Sequence, residues 1–399
     1  MTTEAQISLA GRRVMSQRPP KSAAIEIQTV VSRSDRDAFV RFPWKIYTDD
    51  PCWVPPLLLE RKEFIDSRKH PFYLHGEARQ MLARRDGEVV GRIQVSDDPR
   101  YNAERGGNVG CFGLFECIDD SQVAAALLDA AAAWLVERGR SQMMGPIDYS
   151  TNYACGLLID GFHTPPRVMM NHNPPYYADL LEEWELSKVQ DMSCWWFDDL
   201  VEKLRRWQGK VERIAARGGV TIRPMRRKDF DAEMQRVKAV YHNAWQESWG
   251  FVSMTDAELG HFGHFLAEFV DPEMLLLAEV KGQPAGVALT LPDLNEAIGP
   301  LDGRLTRWGL PTGYLKFRAR LKKIKVCRLF VLGVTKEFRR RGVAELLILR
   351  TLDHGLNQLH YTGAELGWTL KDNHAISSTI EAAGGTRYKT YRIYEKPIG

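Results

Sequence analysis

Three consecutive arginines, Arg339, Arg340 and Arg341, stand directly before Gly342, Val343 and Ala344. Before them runs Leu329–Val334, apolar and of strand length; after them Leu346, Leu349, Leu352, Leu356 and Leu359 recur on one helical stripe. The six residues are therefore expected to join a buried strand to the N-terminus of a packed helix. The first turn of a helix carries backbone N–H groups without partners and the positive end of the dipole. Gly342 lets a ligand come close to the backbone, and Ala344 adds no bulk. Three arginines at that end repel the dipole unless an anion offsets them. The chemistry this spacing suits is the binding of a pyrophosphate.

Alone, Arg339-x-x-Gly342-x-Ala344 is a weak pattern; placed between strand and helix it resembles the acetyl-CoA signature of the GCN5-related N-acetyltransferase (GNAT) superfamily, Arg/Gln-x-x-Gly-x-Gly/Ala after the fourth strand. A second signature is similar too: Glu365-Leu-Gly-Trp368 reads as the fifth strand, and Asn373 opens a helix ending at Gly384-Gly385. The resemblance covers about 220–394. It implies that backbone groups of Leu332, Gly333 and Val334 pair with the pantetheine arm and polarise the thioester carbonyl. It implies further that Arg339, Arg340, Arg341, Gly342, Val343 and Ala344 hold the pyrophosphate, with Asn373 on the arm's other side. Many members place a tyrosine acid seven residues after that asparagine. Here Ile380 stands there, so either Tyr388 or Tyr391 substitutes, or the thiolate leaves with solvent help.

The reaction this implies is attack of a neutral amine on a thioester, which needs a base within hydrogen-bond reach or one water away. By position the candidates are Glu365 first, then Asp293 and Asn295 after a predicted hairpin, and His242 or Glu247 in the segment Tyr241–Trp249. Asn243 of that segment, with Asp293 and Asn295, is the candidate acceptor contact. Each also has a purely structural reading, as a strand-edge acid or a satisfied histidine.

The elements needed to position these groups occur twice. Ala83–Gly91 and Ala278–Gly286 align residue for residue as hairpins turning at Asp86-Gly87 and Lys281-Gly282. Phe112–Phe115 followed by a helix over 123–138 matches Val331–Val334 followed by a helix over 343–359, and each leads to another strand, near 143–147 and 364–370. This predicts an internal duplication with an α/β architecture, mixed sheets in tandem GNAT-like lobes. In the first copy the loop is replaced by Glu116-Cys-Ile-Asp-Asp-Ser-Gln-Val123, whose carboxylates repel phosphate. One cofactor site is expected, in the second lobe, the first being degenerate. The expected layout is a disordered arm over 1–23, the degenerate lobe over 24–197, a helical linker over 198–219 spanning both lobes, and the CoA-binding lobe over 220–399. Asp35 is expected to cap a short helix, and the proline- and tryptophan-rich stretch 43–56 to form an irregular ordered loop or lid.

The whole chain further resembles two-lobed bacterial acyl-CoA N-acyltransferases of the ceramide synthase type, through Thr48–Pro56, His70–Glu77, Gly145–Asn152 and Asn173–Tyr177. That resemblance implies acyl-CoA as co-substrate and a long-chain base as lipid amine acceptor. Two rivals stand beside it: transfer to a small or peptidic amine, and a non-catalytic CoA-binding protein.

Bulk properties agree with a soluble globular protein of two domains. The 399 residues exceed one ordinary core, and 44% hydrophobic with 26% charged residues is globular. A net charge of +3 does not point to nucleic acid. The charge is uneven, however: ten Lys and Arg residues and no acid lie between Asp302 and Glu337. That run, with Trp308, Tyr314 and Phe317 interleaved, is either a solvated face or a patch for an anionic cofactor or leaflet. The six cysteines form no CxxC pair and have no histidine partner, so no metal is expected. Reduced cysteines and no visible secretory signal give an expected cytoplasmic location, with peripheral attachment to the inner membrane face.

Overall fold

A computed structural model describes residues 24–399, Trp308 excepted; the expected arm over 1–23 and the ring of Trp308 lie outside the described residues. The strands in chain order are β1 (Ile25–Thr29), β2 (Glu77–Arg85), β3 (Glu88–Asp97), β4 (Val109–Cys117), β5 (Gln142–Gly145), β6 (Leu157–Asp160) and β7 (Ser187–Phe197), then β8 (Val220–Pro224), β9 (Leu275–Val280), β10 (Gln283–Pro292), β11 (Val326–Val334), β12 (Gly363–Leu370) and β13 (Thr386–Pro397). The first half carries helices α1 (Arg33–Arg41), α2 (Pro43–Ile46), α3 (Leu58–Phe64), α4 (Pro99–Arg105), α5 (Ser121–Val136) and α6 (Tyr177–Glu183). The second carries α7 (Leu200–Gly218), α8 (Phe230–Trp245), α9 (Asp256–Phe269), α10 (Asn295–Ile298), α11 (Thr312–Leu321), α12 (Val343–Asn357) and α13 (His374–Ala382).

All thirteen strands join one sheet in the order β1-β2-β3-β4-β5-β13-β7-β12-β11-β10-β9-β8, with β6 on β13 beside that path. Each half contributes five strands in sequence order, parallel only where β4 meets β5 and β11 meets β12. The halves then exchange their last strands: β13 lies against β5, β7 lies against β12, and the two pair with each other at the centre. No open edge remains between the lobes.

The repeat extends to single residues. Asp86-Gly87 and Lys281-Gly282 both turn with positive φ, 52° and 80° against 52° and 79°, the primed turn that suits the strand twist. A β-carbon on Gly91 would stand 2.7 Å from Leu127, and one on Gly286 would stand 2.8 Å from Val343. Glycine at both places lets α5 and α12 seat directly on the hairpin. The leucine stripe of α12 is buried as its spacing predicts, through Leu346, Leu349 and Leu352, in a core shared with β9–β12. A separate core under α5 holds the first lobe together.

Two expectations are corrected. Ser32, not Asp35, is the N-cap of α1; Asp35 completes a capping box, accepting from the Ser32 N–H at 3.0 Å while its own N–H donates to Ser32 Oγ at 3.0 Å. The stretch 43–56 is not wholly irregular, because Pro43 opens the one-turn α2, where a missing N–H costs nothing. Its rings pack toward the second lobe, Trp44 Nε1 donating to Asp302 at 2.5 Å. Among the described side chains, α7 lies mainly against the second lobe. Leu200, Leu204 and Val211 bury into the second core, and its neighbours are α12 and β8.

Candidate functional site

Strands β11 and β12 pair only over Val326–Leu329 and Gly363–Leu366. Beyond that they diverge. On β11 the register against β10 skips Phe330, which bulges. On β12 the register against β7 shifts between Leu366 and Thr369. The gap opens into a cavity of about 850 Å³ lined by Phe330–Val334 on one side and Gly367–Leu370 on the other. The Thr335 N–H donates to Ala285 O at 3.0 Å. Strand alternation therefore puts Gly333 on the β10 side and turns the backbone groups of Leu332 and Val334 toward the gap. Gly333 has a packing role as well: a β-carbon there would come within 2.3 Å of the Trp245 ring on α8.

The arginine loop closes one end of this cavity. Arg340 takes φ 64° and Gly342 φ 77°, and Gly342 is the N-cap of α12 with no side chain bonded to the first turn. Arg339 Nη2 donates to Ala244 O at 3.1 Å, and the Asn243 carbonyl accepts from the Lys336 N–H at 2.9 Å, so α8 braces the loop. Arg341 lies over the Phe338 ring at 5.5 Å. Among the described residues no carboxylate forms an ion pair with any of the three arginines, and Arg339, Arg340, Val343 and Ala344 line the cavity. Asn373 stands at the opposite lip, its carbonyl capping α13 through the Ile376 N–H at 3.4 Å. The arrangement can take a diphosphate at the helix end and an amide-bearing arm along a free strand edge.

The first lobe fills the same features with its own chain. Asp120 caps α5, accepting from Gln122 and Val123 N–H at 3.0 and 3.2 Å and from Arg85 at 2.8 Å. The Asp148 carboxylate takes the Leu114 N–H at 2.9 Å, and the Ile147 N–H bonds Phe112 O at 2.6 Å, where the second lobe has its gap. Titration with CoA should therefore give one equivalent per chain; two equivalents would overturn the single-site assignment.

Glu365 and Tyr388 meet, but not on the cavity wall. Tyr388 donates to one Glu365 oxygen, and Arg328 Nε lies 3.1 Å from the other. Glu365 and Arg328 are each 1% exposed. Burial, then the Glu365 charge, pushes the Tyr388 hydroxyl far above its usual range. Arg328 separates Glu365 from the cavity, which it lines, and donates to Val168 O at 2.5 Å and Gly367 O at 3.2 Å. Sequence reasoning missed Arg328. Its signal was an arginine inside an apolar strand, in parallel register with Glu365.

The three acceptor candidates are struts in this structure. Asn243 is spent on the Lys336 N–H. Asp293 takes Arg167 at 3.1 Å and the Val168 N–H at 2.9 Å, and Asn295 Nδ2 donates to Pro166 O at 2.8 Å. Burial pushes Asp293 up to about 6, with Arg167 opposing. None of the three lines the cavity. The rest of its wall comes from the first lobe, through Thr151–Cys155 with Met169 and Met170, and from α8 and α9, through Met234, Tyr241 and Phe262. His242 lines it too, 3.4 Å from Ser253 Oγ.

A charged clamp ties α9 to the first lobe beside this wall. Tyr153 donates to Glu258 at 2.9 Å, and His75 stands 3.4 Å from both Glu258 and Asp98. Arg100 lies 3.9 Å from Glu258. Asp98, then Glu258, pushes His75 up to about 9. Burial alone would raise Glu258, but His75 and Thr255 outweigh it and hold it down to about 2. Because the folded His75 value lies above the unfolded one, its stabilisation is full below pH 6.5 and lost as pH rises through about 9. Urea midpoints of the wild type should fall across that window relative to His75→Gln; parallel profiles would refute the clamp.

Among the described residues, no helix is long and apolar enough to cross a membrane, and no three His, Cys, Asp or Glu side chains cluster as a metal site. No family model matches the chain. It is 36% identical over 381 residues to Protein YghO of Escherichia coli (strain K12), covering 93% of this chain and 95% of that one. It is 33% identical over 383 residues to the bacterial ceramide synthase of Caulobacter vibrioides (strain NA1000 / CB15N), covering 94% and 98%. In fold it is similar to a tandem GNAT protein from the clavulanic acid biosynthesis pathway, with TM-score 0.56 and 13% identity over 94% of this chain and 99% of that one. A second similar fold is the glucosamine N-acetyltransferase region of a fungal GH3 β-N-acetylglucosaminidase, with TM-score 0.58 and 14% identity over 95% of this chain and 39% of that one. The chain belongs to the family of these two bacterial relatives, and its fold is that of a tandem GNAT protein.

Proposed function

We propose that the chain transfers the acyl group of acyl-CoA to the primary amine of a long-chain base, giving a ceramide-type amide. The observation that carries this is the union, in one cavity, of an uncapped helix end, a free strand edge and a methionine- and aromatic-lined wall. The diphosphate of CoA would sit on Arg339–Ala344. The pantetheine arm would follow Leu332 and Val334, with Asn373 across from it. An apolar acceptor chain would lie along Met169, Met170 and Phe262, since such side chains adapt to flexible apolar ligands. The similarity to the Caulobacter ceramide synthase supports the same acceptor class.

In the reaction the amine nitrogen bonds to the thioester carbon, the C–S bond breaks, and the nitrogen's proton leaves as the CoA thiolate takes one up. Glu365 and Tyr388 are proposed to hold β12 and Arg328 in place beside the gap, because neither opens on the cavity. The proton then passes to water at the cavity mouth. Five of the six free cysteines are buried, which fits a reducing, cytoplasmic setting.

The test is CoA-thiol release, with mass identification of the amide, across acyl-CoA lengths and with sphinganine, spermidine and a peptide amine as acceptors. Burial of each methylene is worth about 0.8 kcal/mol, so efficiency with alkylamines should rise about 15-fold per two methylenes until the cavity fills. A faster reaction of acetyl-CoA with spermidine or the peptide would replace the lipid acceptor with a small one.

A further inference from the structure

The connection between β10 and β11 holds α10, a 3-10 turn at Gly299–Leu301 and α11, where the first lobe has only the short α4 between β3 and β4. One face of this insertion is anchored. Phe317, Leu301 and Ile324 are buried in the second core, and the Phe317 ring meets Phe269 edge-on at 5.9 Å. Phe317 is thus a core residue and no part of an interfacial patch. The other face is unlike the rest of the surface. Leu310, Tyr314 and Leu315 are 59%, 45% and 62% exposed, side by side on α11 and the turn before it. Around them Arg304, Lys316, Arg318, Lys322 and Lys323 are exposed. Among the described residues none of these five has an ion pair, whereas surface cations such as Arg41, Lys45 and Lys62 do. No acid occurs from 303 to 336 to supply one.

We infer that α11 and its flanks dock on an anionic lipid bilayer. Two aliphatic side chains and a tyrosine gain by entering the headgroup boundary, while the ring of cations meets anionic headgroups. A nucleic acid would use the cations but leave the leucines in water. A bilayer uses both, and its charge is complementary to a face with cations only. The surface lies outside the acyl-transfer cavity, since none of these residues lines it. The inference therefore stands apart from the identity of the acceptor amine, and it needs no substrate for its test.

The full chain, without substrate, should float with vesicles of phosphatidylcholine carrying phosphatidylglycerol, and be released by high salt. It should not float with phosphatidylcholine alone. The pair Lys322→Glu and Lys323→Glu should weaken partition at least about 20-fold, and the pair Leu310→Ser and Leu315→Ser about tenfold or more. Both variants should keep wild-type acyl transfer to a short, water-soluble amine, or the wild-type CoA affinity if no such amine reacts. Those last readouts also show that the variants are folded. Absence of flotation with anionic vesicles, equal flotation with neutral ones, or unchanged partition of either variant overturns the inference. So does binding to a DNA duplex in place of vesicles.

Discussion

Replacing Gly342 by aspartate is expected to abolish tight CoA binding while leaving the fold intact. The substitution places a carboxylate at the N-cap position of α12, as Asp120 stands at that of α5, although the backbone is left-handed at Gly342 and extended at Asp120. Aspartate is among the residues that tolerate positive φ, so φ 77° costs only about 1–2 kcal/mol of stability. The same carboxylate would face the diphosphate. Two unit charges about 4 Å apart at a surface dielectric repel by about 4 kcal/mol before salt screening, so CoA should bind at least about 100-fold more weakly. Gly342→Asn, which has the shape without the charge, should lose no more than about tenfold. Calorimetric titration at low and moderate salt separates the two, since only the aspartate penalty shrinks as salt rises. Aspartate binding within about threefold of wild type would remove the diphosphate from this loop.

The second large effect is on stability. Arg328→Met leaves the Glu365 carboxyl in a site 1% exposed without its cationic partner, with Tyr388 as the remaining donor. Breaking one side of a buried pair costs about 3–5 kcal/mol. Replacing both, as Arg328→Met with Glu365→Leu, should recover most of that loss, because two apolar side chains need no solvation. Urea denaturation of the two singles and the double closes the cycle. The double also decides chemistry. If Glu365 positions β12, turnover of the folded double stays within about tenfold of wild type; if it is the base, turnover drops by about 10²–10⁴. Additive destabilisation, with the double worse than either single, would show that the pair is not coupled.

The residues legible in advance were those whose role is written in local pattern. The hairpin turns at Asp86-Gly87 and Lys281-Gly282, the leucine stripe of α12 and the cap at Asn373 depend on neighbours a few residues away, so spacing was enough. Polar groups bonded across the fold were harder. Asp293, Asn295 and Asn243 look like acceptor contacts in a linear reading, because polar residues after a hairpin often reach a ligand. In space each bonds a backbone group of a distant segment. Phe317 and Tyr314 stand three residues apart with similar chemistry, and only packing against Phe269 shows which is core.

What the sequence determined by itself was the repeat, the strand-loop-helix at Arg339–Ala344, and the replacement of that loop by acids in the first lobe. These follow from turn residues, periodicity and charge, which act over one or two turns of chain. Tertiary structure alone decided three other things. The halves exchange their last strands, because β13 finds a hydrogen-bonding edge on β5 and β7 finds one on β12. The cavity exists because bulges in β11 and β12 drive these strands apart just beyond the residues over which they pair in register. And Glu365 faces Arg328 rather than the cavity, since parallel register fixes which side chains share a face, and register is a property of two strands that no single segment contains.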